Sequence, residues 1–182
     1  MAPFFTGKGD AGDTGFLGEG RISKASQKIE AVGSVDEASA VLGLARSLSD
    51  SETTKTIILH IQKQLYWLMA ELSASEATAE LFDRLSKEDV AWLEEQIIQL
   101  ENALTMPKDF IVPGETPASG ALSLARAIVR RAERRVVALY ETGDLQKQGL
   151  IVYLNRLSSL IFILEVYESS RSGGGVRLVK EE

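Results

Sequence analysis

Cysteine is absent from this chain of 182 residues, and histidine occurs once, at His60. The first absence excludes disulfides, thiolate metal sites and cysteine nucleophiles. The second removes the paired Glu-x-x-His motifs on which di-iron helical bundles depend, since Ile57 stands three residues before His60. It also leaves serine–histidine catalysis without support. No metal ligands are therefore assigned, and His60 is expected to be structural or exposed. Basic side chains are in deficit, 20 against 26 acidic ones, for a formal net charge of −6. A general grip on nucleic acid is not expected, although a local basic patch can still hold phosphate. No uninterrupted apolar stretch is long enough to span a membrane. The start, Met1-Ala2-Pro3-Phe4-Phe5, lacks the basic region and apolar run of a signal peptide. The expectation is a cytoplasmic protein that binds neither nucleic acid nor membrane. Cleanly alternating strands, internal repeats and a domain linker are lacking too.

What is present is a globular balance, 45% hydrophobic and 25% charged, at a length that suits one domain. Residues 1–28 are rich in Gly, Asp, Thr and Ser and read as an irregular loop. From about Ile29 the pattern is helical. Ala31, Val35, Ala38, Leu42 and Ala45 recur at helical spacing up to a break at Ser49-Asp50-Ser51. Ile57, Ile61, Leu65, Leu68 and Leu72 mark a second helix. A third starts at Ser86, with Asp89 in the place of a capping-box Glu. Residues 106–114 form a connector with two prolines and a glycine. Thr116 and Pro117 then suit the cap and first position of a fourth helix that runs to about Glu141 and stops near Gly143. A fifth covers roughly Gly149 to Glu168, and Ser172-Gly173-Gly174-Gly175 breaks into a tail expected to be mobile. The predicted architecture is all-α: a five-helix, ferritin-like up-and-down bundle over 29–168, behind an N-terminal loop and before a tail from 169.

Three constellations can carry chemistry. Thr6-Gly7-Lys8-Gly9-Asp10-Ala11-Gly12-Asp13-Thr14-Gly15 holds four glycines, one lysine and two threonines. Glycines let the backbone turn its N–H groups toward an anion, and Lys8 adds a point charge, which suits a polyphosphate. The alternative is a flexible Gly-rich N-terminus. On the fourth helix Ala121, Ala125, Ile128, Val129, Ala132 and Val136 form the apolar stripe. Arg126, Arg130, Glu133 and Arg134 fall on one flank of that stripe, and Arg131 and Arg135 on the other. Guanidinium forks oriented by a carboxylate can hold a triphosphate; the alternative is a solvated charged face. On the fifth helix, apolar nearly all round, Asn155, Ser158 and Ser159 share one face. An asparagine on so buried a helix either cross-links the bundle or turns its amide to a ligand.

Taken in order, these segments resemble the PduO-type family of ATP:cob(I)alamin adenosyltransferases over nearly the full chain. Thr6–Gly15 is similar to the family's Gly/Thr-rich ATP loop. Arg21-Ile22-Ser23-Lys24 and Ile29-Glu30-Ala31-Val32-Gly33-Ser34-Val35-Asp36-Glu37 resemble R-V-S-K and I-E-A-x-G-x-V-D-E. Phe110-Ile111-Val112-Pro113-Gly114 resembles F-I-L-P-G. Leu124-Ala125-Arg126 with Arg130-Arg131-Ala132-Glu133-Arg134 resembles L-A-R-x-x-x-R-R-A-E-R, and Tyr153-Leu154-Asn155-Arg156-Leu157-Ser158 matches Y-L-N-R-L-S. The chain departs from the family at Thr6-Gly7-Lys8-Gly9, where T-R-T-G is common, at Glu115, where a second Gly is common, and at Ser159, where Asp is common.

The resemblance implies a homotrimer with active sites between subunits. It implies ATP contacts at Thr6, Gly7, Lys8, Gly9, Thr14, Gly15, Lys24, Arg130, Glu133, Arg134 and Asn155. Asp36 and Arg126 would pair across the interface, and Phe110 would lie beside the corrin and keep the lower axial ligand off cobalt. The implied reaction is attack of cob(I)alamin on C5′ of ATP, carried with Mg²⁺, with triphosphate leaving, so the protein need supply no nucleophile of its own. Arg130, Phe110 and Asn155 would do the catalytic positioning. A reductase and an adenosylcobalamin-dependent enzyme are the implied partners. Two other readings stand beside it: an ATP- and corrinoid-binding carrier or regulator that delivers cofactor without efficient turnover, and a bundle with no ligand.

Overall fold

Local signals set the helix boundaries. In the computed structural model, which describes residues 5–173 and 175–180, Ser26 caps α1 (Gln27–Leu48) by accepting a hydrogen bond from the Ile29 N–H. The predicted break at 49–51 is real: Ser49 closes α1 and the Ser51 side chain caps α2 (Glu52–Ser73) at Thr54. Ser86 opens α4 (Lys87–Asn102) with the expected capping box, its N–H and hydroxyl both donating to Asp89 Oδ2. Thr116 caps α5 (Pro117–Glu141) with Pro117 in the first turn, and Gly143, at φ +83°, carries the chain out of that helix. α6 runs Gly149–Arg171, three residues beyond its expected end. Met1–Phe4, Gly174, Glu181 and Glu182 lie outside the described residues. With them fall most of the segment read for a leader and one glycine of the tail break.

The helices lie side by side in the order α2, α1, α5, α6, α4. Ala31, Ala38 and Ala45 on α1 and Ala121, Ala125 and Ala132 on α5 are buried, and small side chains on facing helices allow close approach. α6 is buried on most of its circumference. Leu150, Leu154, Leu157, Leu160, Ile161 and Leu164 are all inaccessible, as a helix apolar on every side requires. No apolar run in the sequence was long enough to suggest a membrane span, yet α6 has the length and hydropathy to cross one; most of its apolar window is covered by the other helices.

Two regions differ from expectation. A 3-10 turn at Glu76–Thr78 and the four-residue α3 (Ala79–Phe82) fill the link between α2 and α4, where no periodicity signalled them. Two short antiparallel pairs also occur: β1 (Asp13–Gly15) with β2 (Arg21–Ser23), and β3 (Ile111–Val112) with β4 (Arg177–Leu178). The N-terminal region is thus a hairpin rather than an irregular loop, and the segment after α6 is not free. Leu178 pairs with Ile111, Val179 N–H donates to Phe110 C=O at 2.9 Å, and Lys180 reaches Asp109 at 2.7 Å. Strands of two or three residues are too short to leave an alternation in sequence.

Polar groups inside the bundle are chained together. Tyr153 Oη, fully buried on α6, donates to Gln64 Oε1 of α2 at 2.8 Å, and Gln64 Nε2 donates to Asp89 Oδ1 of α4 at 2.8 Å. Burial pushes the Tyr153 phenol well above its usual range. Burial also works to raise Asp89, but the Ser86 N–H, the Gln64 amide, the Ser86 hydroxyl and nearby His60 together hold it below the usual value. His60 itself is exposed and stacks on Trp92 with ring centroids 4.0 Å apart. At the other end of α6, buried Glu168 accepts from Ser49 at 2.7 Å and from Thr54, which ties the α1–α2 turn down. Tyr153→Phe leaves Gln64 Oε1 buried without a donor. It should cost about 1–3 kcal/mol, read as a Tm several degrees lower in a circular-dichroism melt. An unchanged melt would show that the network is not a stabilising link.

Candidate active site

The i, i+3, i+4 spacing of Arg130, Glu133 and Arg134 sets them on one strip of α5. That strip, with Val137, Ala138 and Glu141, lines an open pocket of about 380 Å³ whose other wall carries Asn155 of α6. Asn155 is exposed, not buried as the sequence suggested, and both ends of its amide are bonded within the chain. Nδ2 donates to Glu133 Oε1 at 2.9 Å, which cross-links α6 to α5 at the rim of the pocket. Oδ1 accepts from Arg156 Nη1 at 3.0 Å, and Arg156 Nε reaches Glu94 of α4 at 2.7 Å. Three helices therefore fix the Glu133 carboxylate in place. Arg134 folds back to donate to the Arg130 carbonyl at 3.0 Å. Among the described residues the Arg130 guanidinium has no hydrogen-bond or ion-pair partner and stands exposed. The pocket thus offers one uncommitted planar fork, a second fork beside it and a tethered carboxylate, a donor set that fits a polyphosphate.

The arginines of the opposite flank are engaged elsewhere. Arg131 pairs with Glu37 and Arg135 with Glu30 at 3.3 Å, both on α1. They are helix-to-helix contacts on the surface, worth little individually. Arg126, one turn before Arg130, does not line the pocket. Its guanidinium lies 5.5 Å from the centre of the Phe162 ring on α6.

The Gly-rich segment is folded but separate. Arg21 Nε and Nη2 clamp the two oxygens of Asp13, each at 2.7 Å, and Nη2 also donates to the Lys8 carbonyl at 2.5 Å. Lys24 Nζ donates to the Gly9 carbonyl at 2.8 Å, where any Cβ on Gly9 would meet that ammonium at 2.9 Å. Gly7 and Gly12 hold positive φ, +67° and +85°, as the tight turns need. The hairpin docks on the end of α2 through Leu17 and Ser73, and beside the last turn of α5 through Phe16 and Ile22. Within one chain Thr6, Gly7, Lys8, Gly9, Thr14, Gly15 and Lys24 do not enter the Arg130 pocket. Phe110 is 82% exposed on the α4–α5 connector, and Asp36 is exposed on α1 and makes no ion pair with Arg126 among the described residues. Sequence reasoning quoted Arg21 and Arg156 only inside motifs. Their roles as clamps depend on Asp13 and Glu94, whose pairing no spacing rule announces. Among the described residues no three His, Cys, Asp or Glu side chains converge as a metal site.

A family model described as cobalamin adenosyltransferase matches residues 4–168. The chain is 36% identical over 167 residues to the corrinoid adenosyltransferase PduO of Salmonella typhimurium, covering 91% of this chain and 49% of that one. It is 36% identical over 175 residues to a corrinoid adenosyltransferase of Bacillus subtilis, covering 94% and 89%. The chain thus spans about half the length of the PduO relatives it matches. Among solved structures, a phenylalanine-substituted PduO-type ATP:corrinoid adenosyltransferase from Lactobacillus reuteri, complexed with cobalamin and ATP, superposes with a TM-score of 0.89. It is 29% identical and covers 98% of this chain and 97% of that one.

The hairpin clamp titrates. The Arg21 guanidinium holds the exposed Asp13 carboxyl below its ordinary 3.8. A depressed carboxylate lends stability that is complete above the unfolded value and is lost as pH falls through the folded one. Hydrogen-exchange protection of residues 8–13 should therefore persist at pH 5 and fall away below about pH 4. Arg21→Ala should remove that protection already at pH 5. Protection independent of pH and of Arg21 would mean that other contacts hold the loop.

Proposed function

The chain belongs to the cobalamin adenosyltransferase family, and from that membership we propose that it transfers the 5′-deoxyadenosyl group of ATP to the cobalt of cob(I)alamin, releasing triphosphate. One observation carries the reading: Arg130 is uncommitted, beside Arg134 and a Glu133 fixed by Asn155, in an open pocket on a chain whose other α5 arginines are engaged elsewhere. Cob(I)alamin attacks C5′ of ATP, a Co–C bond forms as the C5′–O bond breaks, and the leaving oxygen carries the electron pair away on triphosphate. The chain's own task is to hold the reacting carbon in line and to meet the charge that grows on the leaving group. Arg130 and Arg134 supply that charge. Glu133, with one oxygen held by Asn155, lines the same pocket and would face the Mg²⁺ that travels with ATP.

The Gly-rich hairpin completes the phosphate site from a neighbouring copy. In one chain, hairpin and arginine pocket share no wall, and a homotrimer with sites between subunits would bring Thr6–Gly9, Thr14, Gly15 and Lys24 of one copy to Arg130 of the next. Asp36 and Arg126 then pair across that interface. Phe110, exposed on a turn that β4 braces, offers an apolar plate to the corrin face, where it excludes water and the lower ligand from cobalt. The protein works in the cytoplasm, with a reductase upstream and an adenosylcobalamin-dependent enzyme downstream.

Turnover assays with cob(I)alamin and MgATP test the flank. Arg130→Ala should lower kcat by ~10²–10³, and Arg130→Lys should rescue only in part, because a point charge lacks the fork. Arg135→Ala, which loses one surface pair, should stay near wild type. Equal, near-wild-type rates for Arg130→Ala and Arg135→Ala would reduce the flank to a charged surface. ATP binding without turnover in the wild type would make the protein a carrier. Phe110→Ala should leave the thermal shift by MgATP unchanged and slow the reaction begun from cob(II)alamin; full activity from cob(II)alamin would reject its role.

A further inference from the structure

Three buried side-chain atoms among the described residues have no hydrogen-bond partner, and all three lie in one place: Arg126 Nε and both carboxylate oxygens of Glu165. Ser123 and Arg126, one turn apart on α5, face Phe162 and Glu165, one turn apart on α6. Glu165 is 1% exposed in the middle of the most apolar helix. Burial lifts its carboxyl above the usual range, while the Ser123 hydroxyl and the Arg126 charge pull the other way. Neither closes a hydrogen bond on it. The inner edge of the Arg126 guanidinium, at Nε, is shut into the seam over Phe162. Its terminal nitrogens make no hydrogen bond among the described residues and are not among the buried, unsatisfied atoms, so they reach the surface.

A carboxyl held this way is costly, and a well-packed apolar side chain would serve the core better. The one cation acting on it is Arg126. We infer that Glu165 is a positioning residue: from inside the bundle its carboxylate draws the inner edge of the Arg126 guanidinium over Phe162 and so aims the outer edge of the fork at Asp36 of a second copy. The inference rests on the proposed Asp36–Arg126 pair between subunits. A guanidinium has donors on both edges of its plane, so one fork can serve an internal and an external carboxylate at once. Without the internal one, Arg126 keeps its stacking on Phe162 but loses the charge that selects its rotamer.

The test is a mutant cycle on the full chain. Glu165→Gln keeps volume and hydrogen-bonding capacity and removes the charge. It should retain helical content and raise the corrinoid KM about 3- to 10-fold, with kcat changed less than about twofold and a matching loss of oligomer at low concentration in sedimentation. In an Arg126→Gln background the same substitution should add nothing. A wild-type KM in Glu165→Gln, or an effect that persists undiminished in Arg126→Gln, overturns the proposal. Glu165→Met, an apolar replacement of similar volume, repeats the cycle if the glutamine variant folds poorly. Asp36→Asn, run in parallel, separates the premise. If it leaves sedimentation and KM at wild type while positions 165 and 126 stay coupled in thermal unfolding, the subunit pair is wrong and the Glu165–Arg126 link stands. If Asp36→Asn and Arg126→Gln both weaken the assembly while the 165–126 coupling is zero, the pair stands and Glu165 has no part in it.

Discussion

The structure depends on covering α6. A helix of 23 residues that is apolar on nearly every side has no face to give to water. α5 and α4 therefore close over its two flanks, and most of the buried or rim polar groups it carries are answered from neighbouring elements, Glu165 being the exception. Tyr153 is answered by Gln64 and, through it, Asp89; Glu168 by Ser49 and Thr54; Asn155 by Glu133. Together these bonds tie the end of α1, α2 and α5 to α6, so the helix that organises the core also sets where the side chains at its margins point.

The α5–α6 seam shows how this positions a site. Glu133 meets Asn155, Arg126 meets Phe162 and Ser123 faces Glu165. These pairs run in opposite directions along the two helices, so the helices are antiparallel and their register is fixed at three levels. The level with Asn155 opens into the pocket and is wet, and there a carboxylate is cheap and adjustable. The level with Glu165 is dry, and there the same group strongly biases any cation beside it. Two carboxylates on one seam thus do different work because water reaches only one of them.

The helices were legible from their periodicity, and at Ser86 and Thr116 from caps that the structure bears out; Ser26 and Ser51 also cap the helices they precede, although only the stripes behind them were read. The flank of Arg130, Glu133 and Arg134 was legible for the same reason, since 3.6-residue geometry alone puts them on one strip. The β3–β4 pair was not, because two-residue strands join segments far apart in sequence and leave no local pattern. The hairpin was hidden by its glycines, which read as freedom although Arg21 and Lys24 remove that freedom from a distance. Glu165 was passed over because a carboxylate inside an apolar run says nothing of what lies across the seam.

The four consecutive-turn arginines of α5 show why composition cannot assign function. Arg130, Arg131, Arg134 and Arg135 share one helix and one chemistry, and a charge count treats them alike. Packing divides them. α1 lies along α5 and presents Glu30 and Glu37 to Arg135 and Arg131, so that pair spends its charge within the fold. α6 lies along the other side and presents an asparagine, which ties up Glu133 and leaves Arg130 its whole fork. Had the seam placed a carboxylate where Asn155 stands, Arg130 would have had an internal partner, and an incoming phosphate would have to displace it. A neutral amide at that position holds the one pocket acid in place without adding a second negative charge. Arg130 is then unpaired before the ligand arrives, so no internal ion pair has to break when charge develops on the leaving group.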